Sequence, residues 1–135
     1  MLSRHSICTE IQVLPTHAEC SRVRRVISRL ALSRLRDSRS AGDVELAVGE
    51  AFTNVVKYGA GGKVSVLVDA SSADEFVVEL NYPGKSFETA VTHPRNRTGG
   101  HGGYGRYIMQ ECLDGMEYRF LGGRTRLRMS KRVRR

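Results

Sequence analysis

Between Val44 and Val55 the apolar residues fall at Val44, Ala47, Val48, Ala51, Phe52 and Val55. That i, i+3, i+4 recurrence belongs to a helix with one buried face. Gly59, followed by Gly61 and Gly62, ends it in the manner of a helix C-terminus. Such a stripe must lie on something, and the next residues supply it. Val64–Asp69 and Phe76–Leu80 are strand-like runs, and Ser71-Ser72-Ala73-Asp74 between them reads as a hairpin turn.

The remaining segments extend this plan. Ile7, Thr9, Ile11 and Val13 alternate, which predicts a strand over residues 4–13. After Pro15, Thr16 suits an N-cap, and Glu19 three residues on completes a capping-box pattern. Cys20, Val23, Val26, Ile27, Leu30, Ala31 and Leu35 then mark an amphipathic helix with arginines on its outer side. Residues 37–42 read as a turn, with Asp43 as the cap of the following helix. Residues 83–103, with Pro83, Pro94 and several glycines, read as a long functional loop. A helix over about Tyr104–Leu113 and strands over Met116–Leu121 and Thr125–Ser130, turned at Gly122-Gly123, complete the chain. The order β-α-α-β-β-loop-α-β-β has no internal repeat and no linker. It predicts one α/β (α+β) domain over residues 1–135, a two-layer sandwich whose sheet is mixed but mostly antiparallel, with helices on one face.

Charge narrows the partners. The chain of 135 residues carries a formal net charge of +8. Much of it comes from Arg22, Arg24, Arg25, Arg29, Arg34, Arg36 and Arg39, and from a basic tail at 131–135. Such a balance favours polyanions, among them nucleotide phosphates and acidic proteins, although a solvated helix face with a frayed tail has the same composition. Aromatic interleaving of the kind that stacks bases is absent, so nucleic acid is a minor hypothesis. No apolar run approaches the roughly 20 residues of a membrane helix and no signal-peptide pattern opens the sequence, which points to the cytoplasm. Cys8, Cys20 and Cys112 are odd in number and widely spaced, as buried reduced thiols are.

Two places hold chemistry. Glu50 and Asn54 are one helical turn apart, on a face offset from the apolar stripe. A carboxylate and an amide oxygen so placed suit a base and a hard-metal ligand, and suit equally an exposed polar pair. The run Gly99-Gly100-His101-Gly102-Gly103-Tyr104-Gly105 opens directly into a helix, where bare backbone N–H groups attract phosphate. It is no dinucleotide fingerprint, because no strand precedes it. Gly84-Lys85-Ser86 copies the end of a P-loop, but Glu79 stands where the first glycine belongs.

In that order these segments resemble the GHKL ATPase superfamily (the Bergerat fold), and most closely its anti-sigma regulatory serine kinases. Residues 45–59, with Glu50 and Asn54, look like the family's N-box. Gly84-Lys-Ser-Phe87-Glu88 is similar to the end of the G1 box. Gly102 through Asp114 resembles the G2 box with the helix behind it. The resemblance implies ATP and Mg²⁺ as cofactors. It makes Asn54 the Mg²⁺ ligand, Glu50 the catalytic general base, residues 88–102 the ATP lid, and Gly84, Gly103, Tyr104 and Gly105 nucleotide contacts. It implies a serine or threonine acceptor on a STAS-type anti-anti-sigma protein, a sigma factor as competing partner, and frequent homodimers.

One position departs from the pattern. The aspartate that accepts a hydrogen bond from adenine is replaced here by Tyr82, with Asn81 beside it. Three outcomes follow: ATP bound through a changed contact, a relaxed base preference, or a catalytically degenerate module that works by binding partners. A lost charge-assisted hydrogen bond costs about 1.5–3 kcal/mol, enough for a ten-fold loss of affinity. His93 and His101 lie in the implied lid and Arg106 follows the glycine run; phosphate contact suits them, as does a bystander or surface role, while Tyr58, on the face of Asn54, suits pocket lining or packing.

Overall fold

The computed structural model describes residues 8–84 and 102–134, with the backbone alone at 102–104. The implied lid at 88–102 apart from the backbone of Gly102, the residues after Gly84 in the G1-like segment, His93, His101 and the Tyr104 side chain lie outside the described residues. Strand β1 (Cys8–Val13) leads into helix α1 (His17–Leu35) and helix α2 (Ser38–Tyr58), then strands β2 (Val64–Asp69) and β3 (Glu75–Pro83). Helix α3 (Gly102–Cys112) and strands β4 (Gly115–Leu121) and β5 (Arg124–Arg132) follow. The element order is the one the sequence predicts.

The strands form one five-stranded sheet in the order β1-β2-β3-β5-β4. Each neighbouring pair is antiparallel, so the described sheet is wholly antiparallel rather than mixed. The three helices cover one face. Phe76, Val78, Leu80 and Tyr82 of β3, with Val64, Val66 and Val68 of β2, meet the stripes of α1 and α2 in a single core. The α+β two-layer sandwich is therefore as expected. Gly122 and Gly123, with φ of 61° and 76°, make the β4–β5 turn, where two successive positive φ angles exclude most side chains.

Local signals explain most boundaries. The Thr16 hydroxyl accepts from the Glu19 N–H at 3.2 Å, a cap worth about 1 kcal/mol. Only this half of the capping box forms, because the Glu19 carboxylate turns to Arg22 at 3.1 Å. The expected turn at 37–42 is a misreading. Arg36 alone takes the left-handed conformation that ends α1, and Asp37, not Asp43, caps α2. The Asp37 carboxylate accepts from the Arg39 N–H and the Ser40 hydroxyl, at 3.3 and 2.6 Å. Ser40 and Ala41 are buried, so packing overrides the breaker at Gly42, around which a side chain would have open space.

The basic end is also not a frayed tail. Lys131 and Arg132 belong to β5, and the Val133 N–H donates to the Asp74 carbonyl. Of the outer arginines on α1, Arg34 turns inward to the Ser72 carbonyl and Arg24 lies across Gly49. Cys20 and Cys112 are buried and Cys8 is exposed, against the expectation of three buried thiols; all three are free.

Candidate functional site

The N-box-like residues are positioned by the stripe of α2. Ala47, Val48, Ala51, Phe52 and Val55 are buried, which turns Glu50 and Asn54 to a flank where both are half-exposed. That flank faces α3. Gly105, Met109 and Cys112 share one side of α3, and Met109 and Cys112 are buried. A Cβ at Gly105 would lie 2.9 Å from Glu50 Oε1 and 3.9 Å from Asn54 Oδ1. The glycine run and the N-box-like pair, distant in sequence, thus meet. They meet because the position between them has no side chain.

Helix α3 starts at Gly102, two residues before the expected Tyr104. Gly103 and Gly105 are both within its first turns, where unsatisfied N–H groups and the positive helix end favour an anion. The sequence hid this start because three glycines carry the lowest helix propensity after proline.

Gly84 is held by backbone alone. Its N–H donates to the Gly123 carbonyl at 2.7 Å, and its carbonyl accepts from the Thr125 hydroxyl at 2.5 Å. Its φ of +89° and the 2.7 Å from its would-be Cβ to the Ala60 nitrogen both require glycine. The Ala60 N–H donates to the Pro83 carbonyl at 3.1 Å. The end of α2, the end of β3 and the β4–β5 turn are thereby locked together on one side of the site.

Tyr82 stands elsewhere than at a surface. It lies in the inward row of β3, 1% exposed, among the largest core side chains. Tyr58 is exposed, with the Lys57 ammonium 5.6 Å from its ring centre. Arg106 lies over the Tyr118 ring at 5.2 Å, and Tyr118 stacks on Phe120 with centres 6.0 Å apart. A groove between α1 and α2, lined by Cys20, Arg24, Gly49, Phe52 and Thr53, opens on a different face of α2 from Glu50 and Asn54.

Sequence reasoning missed the anchor of α3. The Lys131 ammonium donates to the Cys112 carbonyl at 2.6 Å and pairs with Asp43 at 3.1 Å. It neutralises the negative end of α3 and binds it to the start of α2. Beside it, the Asp114 N–H donates to the Ser130 carbonyl and the Asp114 carboxylate accepts from the Arg132 N–H. Burial is the first cause that pushes the Cys112 thiol above its usual value, with Asp43 adding to it, so this thiol stays protonated and inert. The available signal was the alternation Thr125, Leu127, Met129, which runs on to Lys131 on the inward face.

A family model described as a histidine kinase-like ATPase domain matches residues 13–131. The chain belongs to that family. No protein in a search of curated sequences matches it. The match runs from the last residue of β1 through Lys131 of β5, and it bears out the superfamily resemblance read from the N-box-like and G2-like segments. Membership in the histidine kinase-like ATPase family implies nucleotide binding. The residues present fit an anionic ligand: a helix start built of glycines, with oxygen donors at Glu50 and Asn54 beside it. Among the described residues no trio of His, Cys, Asp or Glu side chains converges to hold a metal. Among the described residues no helix is long and apolar enough to cross a membrane.

Proposed function

We propose that this ATPase-family chain is an anti-sigma regulatory serine/threonine kinase that phosphorylates a STAS-type anti-anti-sigma protein, with a sigma factor as the competing partner. The observation that carries the reading is the close approach of Gly105 to both Glu50 and Asn54. Bound ATP with Mg²⁺ supplies the phosphoryl group and the charge neutralisation that its transfer requires. Asn54 offers an amide oxygen as a hard ligand, and the Glu50 carboxylate takes the proton of the acceptor hydroxyl. The helix start at Gly102–Gly105 orients and neutralises phosphate oxygens through backbone N–H groups, while Gly84, whose N–H is taken by the Gly123 carbonyl, only shapes the edge of the site.

A second reading rests on Tyr82. Its ring is 1% exposed and fills core volume where the resemblance expects a carboxylate that meets adenine. That favours a degenerate regulator which holds its partners, as monomer or homodimer, with weak or no ATP binding. Calorimetric titration of ATP with Mg²⁺ into the protein and its Asn54→Ala variant separates the two. Micromolar binding that the variant loses, followed by transfer of radiolabelled phosphate to a STAS-domain protein, supports the kinase. Absence of binding to either protein leaves the partner-holding regulator.

A further inference from the structure

The face of the sheet turned away from the helices carries an arrangement that the nucleotide site does not use. In the β4–β5 register Arg119 stands directly opposite Arg126, and Leu121 directly opposite Arg124. All four point to the uncovered face and are exposed, Leu121 at 83% and the Arg119 side chain at 68%. Like charges directly opposite on adjacent strands repel, so this pair works against the stability of the hairpin that carries it. The local carboxylates do not balance it. Glu117 reaches Arg119 at 3.2 Å, while Glu75 and Glu79 are taken by Arg128 at 3.1 and 3.8 Å. Arg124 donates to the neutral Asn81 at 2.7 Å. Among the described residues Arg126 has no carboxylate within ion-pair distance, so three guanidiniums share one acid.

We propose that this patch is a docking surface for an acidic protein segment, with aspartate or glutamate side chains meeting Arg119, Arg124 and Arg126 and an apolar side chain covering Leu121. Charge complementarity selects the partner's sign, and guanidinium forks pair carboxylates in bidentate fashion. The composition of the face selects protein over nucleic acid. Among the described residues its aromatic neighbours, Tyr82, Tyr118 and Phe120, lie in the inward rows and form no platform for base stacking on this face, whereas a bare leucine beside arginines suits the mixed chemistry of a protein rim. The patch lies across the sheet from Glu50 and Asn54, so docking leaves the nucleotide site open and stands independently of the kinase reading.

The test uses the full chain and a fluorescein-labelled peptide of alternating glutamate and leucine, read by anisotropy. Binding that falls with salt is expected. The Arg119→Gln/Arg126→Gln double variant should lose at least ten-fold in affinity, while Arg25→Gln/Arg29→Gln on α1, with the same charge change, stays within two-fold. Thermal melting of the first variant should be equal to or above wild type, because a repulsive pair is removed, and its ATP titration should match that of the unmodified protein. Equal weakening by both double variants, no binding by wild type, or a lower melting temperature of the first variant overturns the proposal. A single-stranded oligonucleotide that binds this patch more tightly than the peptide overturns it in favour of nucleic acid. Self-association lost only in the first variant overturns it in favour of a second copy of the chain.

Discussion

The two ends of α3 are built by opposite means. At its C-terminal end a buried ammonium, two carboxylates and two strand groups converge on the last turn: Lys131 with Asp43 and the Cys112 carbonyl, and Asp114 with Ser130 and Arg132. Toward its N-terminal end the contact is made by subtraction, since Gly105 presents bare backbone to Glu50 and Asn54. One end is fixed by charge and hydrogen bonds, the other brought close by missing atoms. The difference teaches a division of labour. The strongly tied end sets the axis of α3, and the bare end uses that axis to bring helix N–H groups beside the Glu50 and Asn54 oxygens without occupying the space between them.

The largest effect comes from breaking the tied end. Lys131→Met removes the cation and leaves the Cys112 carbonyl and Asp43 without it. Complete loss of one partner in a fully buried pair costs roughly 3–5 kcal/mol, but the Asp43 side chain is 36% exposed and can turn to water. We expect about 2 kcal/mol of lost stability and a melting temperature lower by about 8 °C, read by calorimetry. A change under about 0.5 kcal/mol would mean that packing, not Lys131, holds this end.

The bare end should respond in the other quantity. Gly105→Ala puts a methyl 2.9 Å from Glu50 Oε1, the far end of a flexible side chain that can swing aside. The gain of about 0.5–1 kcal/mol from replacing a helical glycine offsets that strain, so stability should hardly change. Glu50 no longer sits where it did, and nucleotide affinity should fall about ten-fold by titration, near 1.4 kcal/mol. Unchanged affinity with unchanged stability would remove the contact from the account of the site.

How far the sequence exposed this comparison differs between the two ends. The order of elements, the stripe of α2, its stop at Gly59 and the pair Glu50–Asn54 were legible, because periodicity and glycine punctuation are local. The bare end was legible as a glycine run, though its helical start at Gly102 was not, since propensity argues against it. The tied end was invisible. Lys131 stands in a basic run that composition assigns to solvent, and only the register of β5 turns it inward to a carboxylate 88 residues away. Asp37 was lost for a related reason: Gly42 and two serines read as a turn until the burial of Ser40 and Ala41 is known. Tyr82 was legible as a departure from the motif that the resemblance implies, while its burial depended on the pairing of β3 with β2 and β5.

The smallest effect sharpens the comparison at α2, whose start shares the tied end. Asp37 caps α2 and lies 3.9 Å from Arg134, just beyond β5, so it adds a third charge link on the side of Lys131 and Asp43. The Ser40 hydroxyl, then the Arg39 and Ser40 N–H groups and Arg134, hold its carboxyl below the usual value of 3.8. A depressed carboxyl stabilises the fold above its unfolded value and loses that contribution as pH falls through the folded one. Asp37→Asn keeps a competent cap but discards the charge. At pH 6 the variant should melt slightly below wild type. Between about pH 4 and pH 2 the gap should close, since wild type then surrenders the same charge. Lys131→Met supplies the contrast, because its deficit comes from the lost contacts to the Cys112 carbonyl and Asp43 and not from the Asp37 carboxyl. A gap for Asp37→Asn that persists undiminished at pH 2 would show that shape and hydrogen bonding, not charge, tie α2 at this end.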